Sequence, residues 1–114
     1  MHTLGELERS VMELLWAADA PRSAYDLQEL LAERKLAATT ILTVLSRLEN
    51  KNFVARERST RPHRYTAVAT REDHMAELMH QVLGGASNRT AVLERFVGQV
   101  SVDEAATLRR LLGA

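Results

Sequence analysis

The sequence predicts a mostly α-helical fold with one small β-hairpin. Apolar residues recur at steps of three and four over several segments, which is the spacing of amphipathic helices. Two short extended runs flank Thr60–Pro62, as in a hairpin. The 114 residues, 46% of them hydrophobic and 26% charged, suit a globular domain with a short appendage. The absence of cysteine excludes disulfides and thiolate metal centres, and with no signal segment or long apolar run we expect a cytoplasmic protein.

Two helices are predicted before the centre of the chain. The first covers Leu4–Ala18, with Leu7, Val11 and Leu15 among its inward positions, and ends at the turn Asp19–Pro21. The second begins at Ser23, because Ser23 and Asp26 have the spacing of a capping box. It runs to about Glu33, and its predicted inward face consists of Ala24, Leu27, Leu30 and Leu31.

A third helix, from Ala38 or Thr39 to about Lys51, has two faces of different character. One face is apolar and consists of Ile41, Val44, Leu45 and Leu48. The other has short polar side chains and one arginine, namely Thr39, Thr40, Thr43, Ser46, Arg47 and Asn50. Short polar side chains let a helix approach another surface closely, as entry into the DNA major groove requires.

A basic hairpin follows, with strands Phe53–Ser59 and His63–Val68. Its basic residues are Arg56, Arg58, Arg61, His63 and Arg64. Residues 34–66 carry a net charge of +6, whereas residues 1–33 carry −5 and residues 67–114 carry −1. This distribution predicts a polyanion-binding face, the alternative being a chance cluster of solvated arginines.

Three further helices are predicted near the C-terminus. They begin at Thr70 with Asp73, at Ser87, and at the capping box of Ser101 and Glu104. Their apolar surface exceeds what so short a segment can bury, so we expect dimerisation, although docking on the same subunit is an alternative. The predicted interface residues are Met75, Leu78, Met79, Val82, Leu93, Phe96, Val97, Leu108 and Leu111.

Three helices followed by a basic hairpin are the order of a winged helix-turn-helix. We therefore predict a DNA-binding domain at residues 1–69 and a helical dimerisation domain at residues 70–114. Thr39, Thr40, Thr43, Ser46 and Arg47 would face base edges and nearby phosphates, and the basic hairpin residues would meet the phosphate backbone. Ser23 and Tyr25, at a helix start, would add hydrogen bonds to phosphate.

Other chemistry has little support in the sequence. No nucleophile elbow, P-loop or dinucleotide-binding glycine pattern is present, so no enzyme activity and no cofactor are expected. His74, Glu77 and His80 are spaced by three residues, which spreads them around a helix instead of converging on one ion. We therefore expect no metal site.

The sequence resembles the BlaI/MecI penicillinase-repressor family in several separate motifs. Residues 4–8 (LGELE) and 11–16 (VMELLW) are similar to the opening of that family, and residues 39–48 (TTILTVLSRL) are similar to its recognition helix. Arg64-Tyr65 followed by residues 70–73 (TRED) resembles its passage from the wing to the dimerisation helix. Together these motifs cover nearly the whole chain.

The resemblance implies a homodimeric winged-helix repressor that binds an operator dyad of the TACA…TGTA type. It implies control of β-lactamase or cell-wall genes and release through a membrane-bound BlaR-type sensor-protease system. By register, cleavage would fall at Arg95-Phe96, where other members have asparagine in place of Arg95. The alternative for Phe96 is a role in the interface only, which we favour.

Two other functions stay open from the sequence. Some winged-helix domains bind a protein partner, although such a surface usually exposes larger apolar anchors than the predicted third helix does. MarR-type repressors share the order of elements and respond to small ligands, but they are usually longer at both ends.

Overall fold

The computed structural model describes residues 4–113. These residues form six α-helices and three short strands. The chain divides into two compact units between Met75 and Ala76. The mostly helical class with a small β-element, predicted from the sequence, is confirmed.

The first unit contains three helices and a sheet. Helix α1 covers Glu6–Ala17, strand β1 Arg22–Ser23, helix α2 Ala24–Leu30, and helix α3 Ala38–Asn50. A short 3-10 helix at Ala32–Arg34 joins α2 to α3, with Lys35 in the left-handed conformation after it. Strands β2 (Val54–Glu57) and β3 (Arg64–Ala67) form the wing hairpin.

The sheet has three antiparallel strands in the order β1-β3-β2. Arg56 lies opposite Tyr65 and Glu57 opposite Arg64, so residues 58–63 form the loop at the tip of the wing. Strand β1 pairs Ser23 with Arg64, which places the start of α2 beside the end of β3 that adjoins the tip loop. Strand β1 was not predicted, because two residues are too few to show a strand period.

The core of the first unit lies between α1, α2, α3 and the sheet. Its buried residues are Val11, Met12, Leu15, Ala24, Leu27, Ile41, Val44, Leu45, Leu48, Val54 and Tyr65. All four apolar positions predicted for α3 are buried. The prediction that Leu30 faces inward was wrong: its side chain is 55% exposed, since α2 ends there and the chain changes direction.

Glu8 and Lys51 connect α1 to the end of α3. Both carboxylate oxygens of Glu8 lie 3.0 Å from the Lys51 ammonium, and one also accepts the backbone N–H of Gly5 at 2.8 Å. Glu8 is only 8% exposed, so this ion pair is largely shielded from water. Burial raises the pKa of Glu8, but the Gly5 hydrogen bond and Lys51 outweigh burial and hold the pKa below its usual 4.5.

The segment between β3 and the next helix is attached to α1. The indole N–H of Trp16 donates to the Ala69 carbonyl at 3.1 Å, and the ring of His74 lies 5.4 Å from the Trp16 ring. Arg71 lies over the same indole and donates from Nε to the Glu13 carboxylate at 2.9 Å. These contacts fix residues 69–74 on the first unit.

Three helices follow the wing: α4 at Arg71–Gly84, α5 at Arg89–Val97 and α6 at Val102–Leu112. None of the described residues in these helices is fully buried. The predicted capping box of Ser101 and Glu104 is confirmed, and Gly113 ends α6 with a φ of 77°. The expected cap at Ser87 was wrong: Asn88 caps α5 and accepts from the Ala91 N–H at 3.1 Å.

Candidate nucleic-acid interface

The outward face of α3 has the polar character that the sequence predicts. Thr39, Thr43, Ser46 and Arg47 are exposed, and Thr40 is half-buried. The opposite face fills the core, so the apolar residues hold this helix in place while the short polar residues face solvent. The face presents methyl groups and hydroxyls close to the helix backbone, which base edges in a major groove can contact.

Arg47 and Thr43 differ in what they can offer to DNA. Thr43 donates its hydroxyl proton to the Thr39 carbonyl at 2.9 Å, which leaves a methyl group and an acceptor for other contacts. Arg47 forms no ion pair or hydrogen bond with any other residue between positions 4 and 113, so its donors are available. It lies with Thr40 and Thr43 along a groove beside the start of α1.

The two residues predicted to bind phosphate at the start of α2 differ in exposure. Ser23 is 4% exposed, and its hydroxyl accepts from the Asp26 N–H at 3.1 Å. Asp26 in turn accepts from the Ser23 N–H, and that hydrogen bond first of all lowers the pKa of Asp26. The structure therefore displays Ser23 as a cap, whereas Tyr25 is 60% exposed and reaches solvent.

An acidic residue of α3 lies beside two arginines of the wing. Glu49, on α3, lies 3.5 Å from Arg56 Nε and 3.1 Å from Arg58 Nη2 through the same Oε2 atom. The Glu49 and Arg56 side chains are each 26% exposed, and Arg58 is 62% exposed. We call these three residues the wing triad.

The tip of the wing is held by Arg61. One of its guanidinium nitrogens donates to the Arg58 and Thr60 carbonyls at 2.8 and 3.0 Å and lies 2.7 Å from Nε2 of His63. Partial desolvation and the charges of Arg61, Arg56 and Arg58 hold the pKa of His63 below its usual 6.5. The Arg61–Pro62 peptide bond is cis. Arg64 is exposed at the start of β3.

Sequence reasoning missed Leu42 and Glu49. Leu42 is 45% exposed on α3, although neighbouring Ile41 is buried. A helical wheel drawn from the buried face of α3 would have placed Leu42 outside the core. The wing triad had no sequence signal, because its members lie on different elements and meet only in the folded chain.

The predicted interface residues are mostly exposed on α4, α5 and α6. Met75, Met79, Val82, Leu93, Phe96, Val97 and Leu111 are 45 to 75% exposed, and Leu78 and Leu108 are partly buried. Arg95 and Phe96 lie inside α5, where Arg95 donates to the Ala91 carbonyl at 3.1 Å.

Comparison with known proteins decides the family. The sequence profile of the family described as "Penicillinase repressor" matches residues 4–114. The chain belongs to the penicillinase repressor family. Two curated relatives are named transcriptional regulator BlaI, from Mycobacterium tuberculosis strains CDC 1551 and H37Rv. Each is 45% identical over 113 residues, which cover 96% of this chain and 82% of the relative.

Solved structures agree on the fold of this penicillinase repressor family member. A MarR family protein from Bacillus stearothermophilus matches with a TM-score of 0.53 at 18% identity, over 97% of this chain and 71% of that one. A MarR variant from E. coli matches with a TM-score of 0.51 at 20% identity, over 96% and 76%. The family and the named relatives make this repressor a DNA-binding regulator of transcription rather than an enzyme. None of the helices described between residues 4 and 113 is long and apolar enough to cross a membrane.

Proposed function

We propose that this repressor binds an operator dyad of the TACA…TGTA type, with α3 of each subunit in a major groove. The observation that carries the proposal is the exposed polar face of α3, because Thr39, Thr43, Ser46 and Arg47 allow close approach to base edges. Thr40 lies at one edge of this face. Arg47→Ala should weaken operator binding more than binding to unrelated DNA.

The wing and the start of α2 would contact phosphates on either side of the groove. Arg56, Arg58, Arg61, His63 and Arg64 lie on the hairpin and its loop. Tyr25 is exposed in the first turn of α2, which follows the pairing of Ser23 with Arg64. We propose that Ser23 supports these contacts by capping α2. Arg58→Ala should weaken binding to all DNA alike and flatten the salt dependence by about one unit, as the loss of one phosphate contact does. An unchanged salt dependence would contradict the assignment of the wing.

The decisive experiment is a gel-shift titration of the purified protein on a TACA…TGTA dyad and on a scrambled duplex at two salt concentrations. Tight binding to the dyad alone, with two subunits per duplex, is the expected result. Equal and salt-sensitive binding to both duplexes would mean that the operator has another sequence. No binding to either would favour a protein partner.

We propose that dimerisation uses α4, α5 and α6. The exposed apolar residues on these helices support this, since a second copy would bury them, with Met75, Leu78, Met79 and Val82 on α4, Leu93, Phe96 and Val97 on α5, and Leu108 and Leu111 on α6. A C2 dimer brings two DNA-binding domains to two half-sites of a dyad. In this scheme residues 1–69 bind DNA and residues 70–114 dimerise.

We propose that the controlled genes encode β-lactamase or cell-wall functions and that a BlaR-type sensor-protease system releases the operator. Phe96 is assigned first to the interface. Cleavage at Arg95-Phe96 would require α5 to unwind, because the bond lies within the helix. Mass spectrometry of the repressor from cells exposed to a β-lactam tests this: fragments ending at Arg95 would support cleavage there, and an intact chain after induction would exclude it.

A further inference from the structure

We propose that Glu49 competes with DNA phosphate for the wing arginines and thereby lowers the affinity of this repressor for all DNA. The inference rests on the proposed function, in which Arg56 and Arg58 contact phosphates. Glu49 is then an acidic residue within the proposed DNA-binding surface, and it weakens binding because the fold places it beside these arginines.

The geometry of the wing triad supports a competitive role. One carboxylate oxygen of Glu49 accepts from Arg58 Nη2 at 3.1 Å and lies 3.5 Å from Arg56 Nε, a buried nitrogen that has no hydrogen-bond partner among residues 4–113. A phosphate oxygen would seek the exposed Arg58 donor that Glu49 occupies, because carboxylate and phosphate bind guanidinium in the same way. Arg58 is 62% exposed and can turn from one acceptor to the other, whereas Glu49 stays on α3.

The ion pairs of Glu49 hold its carboxylate beside the wing, where the proposed phosphate contacts form. Glu49 is carried by α3, the helix that also presents the polar face. Near a phosphate backbone the Glu49 charge is repelled, and Arg58 Nη2 must leave the Glu49 carboxylate before that donor can bind a phosphate. Both effects oppose binding and neither depends on base sequence.

Glu49→Gln tests this, because glutamine keeps the size of the side chain and removes the charge. We expect affinity for the dyad and for scrambled DNA to rise by about twofold to fivefold, the range of an exposed ion pair. Glu57→Gln is the matched control. Glu57 lies on β2 of the same wing, is exposed, and its carboxylate contacts Ser59 at 3.4 Å, so the control makes the same change in net charge outside the triad.

A double-mutant cycle with Arg58→Ala identifies the partner. The gain from Glu49→Gln should be smaller in the Arg58→Ala background, whereas any gain from Glu57→Gln should be the same in both. Thermal unfolding of each variant verifies that the fraction folded is equal, and Glu49→Ala, which also lacks the carboxylate, should agree with Glu49→Gln.

Three results would overturn the proposal. Weaker DNA binding by both Glu49 variants would show that Glu49 positions the arginines for DNA. Equal gains from Glu57→Gln and Glu49→Gln would show a general charge effect. If Arg58→Ala left the gain in affinity from Glu49→Gln unchanged, DNA binding would not involve breaking the ion pair between Glu49 and Arg58. Failure of the proposed function is distinguishable, because the wild-type protein would then bind neither duplex, or Arg58→Ala would leave the salt dependence of binding unchanged.

Discussion

Single residues on the proposed DNA-binding surface differ in what they can offer to DNA. Arg47 has no hydrogen bond or ion pair among residues 4–113, Thr43 donates its hydroxyl proton within its own helix, and Leu42 adds an apolar group to a polar face. Sequence periodicity was enough to find the polar residues. It could not show that the Thr43 hydroxyl donates to the Thr39 carbonyl or that Ser23 is buried, because both facts depend on rotamers and on packing.

Leu42 is expected to contact a thymine methyl group. Its 45% exposed side chain lies on α3, and the 5-methyl of thymine is the apolar group that a major groove offers. Replacing the contacted thymine of the dyad by uracil should weaken wild-type binding by about fourfold, the value of one buried methylene-sized group.

Leu42→Ala should bind the thymine and uracil dyads equally. Leu30→Ala, which alters an exposed leucine on α2, should keep the wild-type preference. Binding constants from fluorescence anisotropy on dyads with one uracil at a time provide the measurement. If no uracil position affects the wild-type protein, Leu42 does not contact a methyl group.

His63 is expected to make DNA binding depend on pH. Neighbouring positive charge and desolvation keep its pKa below 6.5 in the free protein, so the ring is neutral at neutral pH. Phosphates favour the charged ring and raise its pKa in the complex, so binding takes up a proton. Affinity should therefore increase as the pH falls through the His63 pKa of the complex.

The measurement is the dissociation constant as a function of pH at constant ionic strength. His63→Gln should remove most of the dependence below neutral pH. A variant that retains the full dependence would assign the proton to another group.

At the scale of elements, the helices were predictable and the contacts between elements were not. The apolar repeat of α3 and the capping box of α6 each follow from residues close in sequence, and both are confirmed. Strand β1 and the wing triad depend on distant residues: Ser23 meets Arg64, and Glu49 meets Arg58. No local pattern encodes such pairs.

The attachment of α1 to the end of α3 through Glu8 and Lys51 should weaken in acid. The pKa of Glu8 is lower in the folded chain than its usual 4.5, so the folded state binds fewer protons than the unfolded state near that pH. The stabilisation is complete above about pH 4.5 and is lost as the pH falls through the folded pKa.

Glu8→Gln should therefore lower the free energy of unfolding at neutral pH, and the difference from wild type should shrink in acid. Glu6→Gln is the control. The Glu6 side chain is 90% exposed and pairs with Arg34, so its loss of charge should change the free energy of unfolding very little. Urea unfolding at several pH values measures both. An effect of Glu8→Gln that is independent of pH would indicate lost packing instead of lost charge.

At the scale of the whole molecule, operator binding should require two copies of the chain. Phe96 is 45% exposed on α5 and is one of the apolar residues that a partner subunit would cover. Phe96→Asp would bury a charge in the proposed interface and should give monomers with much weaker operator binding. Light scattering after gel filtration measures the mass.

Thr90→Asp is the matched control, since Thr90 is an exposed polar residue in the first turn of the same helix. It should remain dimeric and bind the operator normally. Dimers that survive Phe96→Asp and Leu78→Asp would place the interface elsewhere.

The fluorescence of Trp16 can report on the contacts that attach residues 69–74 to α1. Trp16 is the only tryptophan in the sequence, and its indole binds the Ala69 carbonyl beneath Arg71. All tryptophan emission therefore arises from the place where residues 69–74 attach to α1. If DNA, a partner or denaturant loosens that attachment, the emission should shift to longer wavelength, so the detachment can be followed in real time on the unlabelled natural chain.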